Sequence, residues 1–153
     1  MPGYQHHRTT GGFVGGTTAL ICAQNQPPLL ALAETVGGFV AGQYAGTWAD
    51  ALEPATSSYH RDFCHALAPT AYAATFVFKQ VESIQTYFRT QAYECFQLAA
   101  STEDGLQQFL NIVAGLLLHG AAGAVPAIAA SYISHIALDA ASPRGVPLIS
   151  RGF

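Results

Sequence analysis

Charge is what this sequence has least of. Only 10% of its 153 residues are charged, against roughly 25% in an ordinary soluble domain. Half are apolar, which excludes a disordered chain, because disorder goes with few apolar residues and much charge. Basic residues are scarce: six Lys and Arg stand against nine Asp and Glu, a formal charge of −3. That leaves no basic stripe to displace phosphate counterions, which argues against nucleic acid as a partner. Paired cysteines are lacking too. Cys22, Cys64 and Cys95 are odd in number, far apart and in no C-x-x-C arrangement, so they read as reduced, small core residues. Sustained alternation of apolar and polar residues is absent, so strands are not expected. The polar opening from Met1 to Arg8 predicts no cleavable signal peptide. The length fits one domain over 1–153.

The missing charge is organised. No Asp, Glu, Lys or Arg occurs from Thr9 to Ala33, from Thr35 to Ala49, or over the 34 residues from Gly105 to Leu138. A membrane crossing needs about 20 mostly apolar residues, and the last stretch is long enough even with Pro126 inside it. Gly38, Gly42 and Gly46 recur at four-residue spacing, as do Gly12 and Gly16. Small residues at that period let helix backbones approach closely where lipid removes the hydrophobic drive between helices. The pattern predicts an all-α, antiparallel bundle of four to five helices embedded in a membrane. The first covers about Gly11 to Ala23 and the second about Leu29 to Ala49. A third begins near Asp62 and runs on to about Ala100. A capped turn at Ser101–Gly105 leads to the last, from Leu106 to Ala141, bent at Pro126.

The polar residues that interrupt this chain are metal-ligand types. His7 precedes the first helix. Asp50 and Glu53 close the second, three residues apart. His60 and His65 flank the start of the third, and His135 and Asp139 lie four apart in the last. Pairs at three- or four-residue spacing leave one helix face together, and unpaired they would be costly to bury in apolar surroundings. Helix parity brings all seven to one end of the bundle. His119, alone on an apolar face, reads as a hydrogen-bonded core residue, and His6 as a solvated neighbour of His7.

These segments resemble a known family. Tyr4-x-x-His7, Asp50-x-x-Glu53-Pro54, His60-Arg61-x-x-x-His65 and Ser134-His135-x-x-Leu138-Asp139-x-x-x-Pro143-x-Gly145-Val146-Pro147-Leu148 are similar to the YdjM-type family. Its members are described as LexA-binding, inner-membrane-associated, metal-dependent hydrolases. Residues from about Val81 to Gln108 show little of the likeness. The chain departs from the pattern at Ala49, Leu52, Asp62 and Ala66, where the family commonly has Pro, in some members Asp, Gly and Ser. The resemblance implies His7, Asp50, Glu53, His60, His65, His135 and Asp139 as metal ligands, with Arg61 beside them to neutralise an anionic oxygen.

Read this way, one or two divalent ions, Zn or Mn, activate water for hydrolysis of a lipid or other phosphoester. Asp50 or Glu53 serves as general base. Membrane lipid, a lipid-borne or small-molecule phosphoester and a second copy of the chain are the partners this reading allows. The resemblance implies a bacterial inner membrane, and Arg8, Arg61, Arg144 and Arg151 at the site end, against Lys79 and Arg89 elsewhere, predict that this end faces the cytoplasm. Two alternatives remain: a non-enzymatic membrane protein that binds metal or carries ions, and a soluble helical metal protein.

Overall fold

The computed structural model describes residues 4–53 and 64–141. Four long helices and one short one make up the fold: α1 Tyr4–Cys22, α2 Pro28–Ala45, α3 Trp48–Leu52, α4 Leu67–Ser101 and α5 Gly105–Ala140. The long helices alternate in direction along the chain, as expected. α5 lies centrally and packs against α1, α2 and α4. It runs the same way as α2, since His119 meets Glu34 near one end and His135 meets Gly46 near the other.

Several boundaries differ from the expectation, each for a local reason. α1 begins at Tyr4, seven residues before the expected Gly11, so His7 sits inside the helix rather than before it. α2 starts with a proline in its first turn, where the missing N–H has no intrahelical role. It stops at Ala45 instead of reaching Ala49. Gly46 is a weak helix former and the β-branched Thr47 turns its hydroxyl back onto the Tyr44 carbonyl at 2.8 Å. Asp104 caps α5 by accepting from the backbone N–H groups of Leu106 and Gln107. α5 then continues through Pro126 as one element.

The interior is built of small residues. Among the described residues, ten of the twelve buried apolar ones are alanines, the others being Val81 and Ile136. Glycines make the tightest approaches: a Cβ on Gly42 would run into the Gly11 carbonyl, and one on Gly37 into the backbone of Gly120. It is Gly11 and Gly15 that meet the α2 backbone, while Gly12 and Gly16 meet the Phe39 side chain. Large apolar side chains point outward instead, among them Phe13, Leu20, Ile21, Leu32, Phe76, Phe109 and Leu117. Water would drive such groups inward, whereas in lipid, close packing of small residues is what holds helices together. Among the described helices α5 alone is both long and apolar enough to cross a membrane.

The cysteines correct one expectation. They are free thiols, yet Cys22 is exposed and Cys64 and Cys95 are half-buried. Helices packed through glycine and alanine leave no central space for them.

Candidate metal centre

The end of α1, α2 and α5 where the charge-free stretches stop holds a cluster of four ligand-type residues. Asp50, His65, His135 and Asp139 each offer one atom, all within 4.8 Å of one another, in an arrangement that could hold a metal ion. The chain brings them there from three places. α3 carries Asp50, the segment leading into α4 carries His65, and the last two turns of α5 carry His135 and Asp139. The four-residue spacing on α5 does what the sequence promised, with His135 Nε2 3.5 Å from Asp139 Oδ2. His65, His135 and Asp139 are buried, and Asp50 is 36% exposed. Asp50 is therefore the side of the cluster that faces outward.

Both imidazoles are held by their outer nitrogens. His65 Nδ1 lies 3.1 Å from Glu53 Oε2, and His135 Nδ1 lies 2.7 Å from the Gly46 carbonyl. A carboxylate and a carbonyl only accept, so both Nδ1 atoms carry the proton and donate. In the neutral rings each Nε2 is then a lone pair. The two Nε2 atoms face each other at 3.3 Å. They also approach Asp50 Oδ1 at 3.4 and 3.6 Å and Asp139 Oδ2 at 3.5 Å from each ring. Both rings thus turn Nε2 toward the two carboxylates, and Nδ1–H bonds to a carboxylate or a carbonyl are the usual support of metal-binding histidines.

The surroundings fix the cluster further. Glu53 also accepts from the backbone N–H of Cys64 at 2.8 Å, tying α3 to the residue before His65. Tyr132 donates its hydroxyl proton to the Cys64 carbonyl. Ser131 donates to the Gly11 carbonyl at 2.8 Å, locking α5 to α1. Burial, and then the Glu53 carboxylate, push the Cys64 thiol up from its ordinary range.

Of the seven ligands expected, four form the cluster, Glu53 and His7 stand beside it, and the seventh, His60, is not among the described residues. Glu53 stands behind His65 as an orienting group. His7 stacks on His135 with ring centroids 3.9 Å apart, and its Nε2 lies 3.6 Å from Asp139 Oδ1. Its Nδ1 is buried and, among the described residues, makes no hydrogen bond. His60 lies outside the described residues, as do Arg61, Arg144 and Arg151. His6 is exposed.

A second polar cluster went unread. Glu34, wholly buried, receives Arg89 through both its oxygens, Nε at 2.8 Å and Nη2 at 2.6 Å. His119 Nδ1 lies 2.9 Å from the same carboxylate, as a hydrogen-bonded core histidine should. Arg89 also donates to the carbonyl of Cys22, the last residue of α1, where a cation complements the helix dipole. One signal was available: Glu34 is the only charged residue between Arg8 and Asp50. By helical rise the two clusters are about 24 Å apart along α5.

Comparison with protein-family models, curated proteins and solved structures finds no match. The resemblance to the YdjM-type family rests on the residues quoted for it.

Proposed function

We propose that this chain is a membrane-embedded, metal-dependent hydrolase of a phosphoester, with its reaction centre at Asp50, His65, His135 and Asp139. The observation that carries the reading is the gathering of one atom each from Asp50, His65, His135 and Asp139 within 4.8 Å of one another, both rings being held from behind. The family resemblance supports hydrolysis as the chemistry. The outward-facing large apolar side chains and the length of α5 support a membrane setting. The resemblance supports an inner membrane, and arginine placement supports this end toward the cytoplasm.

Asp50, His65, His135 and Asp139 would hold the ion, Zn or Mn by donor type. The chemistry a divalent ion would supply there is activation of water and polarisation of a phosphoryl oxygen. Glu53 and Gly46 keep the two rings in the tautomer that presents Nε2. Asp50 is the carboxylate at the open side, and would serve there as general base. Arg61, by the resemblance, would neutralise charge on the phosphate. His7, stacked beside Asp139, extends the donor set toward a second ion. An ion carrier would be the main rival, with its ionisable groups deep in the bundle. The deep carboxylate of this chain is already neutralised by Arg89, which leaves little attraction for a passing cation.

The test is elemental analysis of the purified wild type beside His135→Ala and Asp50→Ala, followed by a phosphoester screen with and without chelator. Stoichiometric divalent metal in the wild type, lost in both variants, with chelator-sensitive turnover is the expected result. Metal-free wild type, or turnover indifferent to chelator, overturns the reading.

A further inference from the structure

An apolar pocket of about 200 Å³ lies next to the metal centre, lined by Trp48, Ala74, Val77, Ile128, Ala129 and Tyr132. Nothing in the expected chemistry uses it. Two of its lining residues lie within three residues of the centre along the chain. Trp48 belongs to the same five-residue helix as Asp50. Tyr132 stands one turn before His135 on α5, about 4.5 Å by helical rise. Its hydroxyl bonds to the carbonyl of Cys64, the residue before His65. Asp50 is the exposed member of the cluster and Trp48 is 43% exposed, so α3 flanks the way in to both.

Charge at one end and hydrocarbon at the other define the ligand. A cation held by the cluster attracts an anionic oxygen, and the pocket beside it offers no charged side chain at all. We infer that the pocket receives the aliphatic chain of a phosphate-headed amphiphile while the phosphate lies at the Asp50–His65–His135–Asp139 cluster. Trp48, Ala74 and Val77 are the residues that determine specificity for the chain. This rests on the phosphoester reading and narrows it. The volume is below the roughly 300 Å³ at which pockets begin to enclose whole drug-sized ligands. It suits a few methylenes next to the head group, the rest of the chain continuing into surrounding lipid. The larger groove of about 610 Å³ between α2 and α5 is lined by residues of Leu29–Ala41 and Val113–Ala124, none adjacent in sequence to a cluster residue, and has no such anchor for a head group.

The experiment measures binding of inorganic, methyl, butyl and hexyl phosphate to the metal-loaded full chain in lipid nanodiscs, with hexanol as the chain lacking a head. Affinity should rise about fourfold for each methylene that enters the pocket and level off once it is full, while hexanol shows no saturable binding. Ala74→Phe fills the pocket and should flatten this rise, leaving metal content and inorganic phosphate affinity as in the wild type. Should that variant lose metal, Val77→Met and Trp48→Ala repeat the measurement, the first flattening the rise and the second moving the point at which it levels off. Equal affinity for inorganic and hexyl phosphate overturns the inference and points to free phosphate or a small ester, leaving the hydrolase reading intact. A rise that persists unchanged in the filled variants overturns it as well, assigning the gain to bulk lipid. Failure of the wild type to take up metal, or of the metal-loaded chain to bind any phosphate, defeats the phosphoester reading itself and this inference with it.

Discussion

His135 donates from Nδ1 to the backbone carbonyl of Gly46 at 2.7 Å, and that one bond decides which nitrogen of the ring faces the cluster. The carbonyl is available because α2 stops there: a helix leaves its last four carbonyls without intrahelical partners. A Cβ on Gly46 would stand 2.7 Å from the His7 carbonyl and 2.9 Å from Gly11 Cα. Gly46→Ala should therefore destabilise the fold by about 1–3 kcal/mol, as overpacking does, and weaken metal uptake together with it. Gly105→Ala is the matched control, since nothing lies within 4 Å of its added carbon. It should be neutral or stabilising by up to about 1 kcal/mol. Denaturation midpoints of the two variants check this; equal midpoints would show that the approach at Gly46 is not tight.

Glu53 is expected to act through His65. Glu53→Gln removes the charge that holds the His65 Nδ1 proton and should lower metal affinity by about 10- to 100-fold. The fold should persist, because an amide oxygen can still accept from the Cys64 N–H. A competition titration against a chelator of known affinity measures the change. Wild-type affinity in Glu53→Gln would mean that this carboxylate does not support the ring.

The Glu34–Arg89 pair gives a coupling prediction. Arg89→Met alone leaves a wholly buried carboxylate with only His119, and should cost about 3–5 kcal/mol, as breaking one side of a buried pair does. Adding Glu34→Gln removes the stranded charge and should recover part of that loss. A double-mutant cycle on thermal or denaturant unfolding reads the interaction. Strict additivity of the two changes would show that the pair contributes no specific coupling.

Membrane attachment can be checked without knowing a substrate. The full chain should stay with the membrane fraction through alkaline and high-salt washes and be released only by detergent. With Leu20, Ile21, Phe109 and Leu117 all facing outward, a chain free in water would expose an apolar surface far beyond what a soluble monomer shows. Recovery of monodisperse protein in a detergent-free supernatant would remove the membrane setting and leave the metal centre to be judged as that of a soluble helical protein.

Much of the site was legible because it depends on helix period and parity alone. His135 and Asp139 at four-residue spacing had to share a face, and alternation of direction had to return His7, Asp50 and His135 to one end. The roles within the group were not legible. Glu53 and Asp50 look alike in the sequence, yet one stands behind His65 and the other at the open side, because α3 is a separate short helix rather than the continuation of α2. Glu34, Arg89 and His119 lie 55 and 30 residues apart in the chain, on three helices, and no periodicity links one helix to another.

The order of the apolar and small residues by itself determined an all-helical chain with tightly approaching backbones, since charge-free runs and four-residue glycine spacing leave few other ways to satisfy the backbone. Which glycines touch, which nitrogen of each histidine turns inward and which acid meets which base were decided only when the helices packed. Those are matters of rotation and axial shift between helices, and they are set by contacts that no single segment contains.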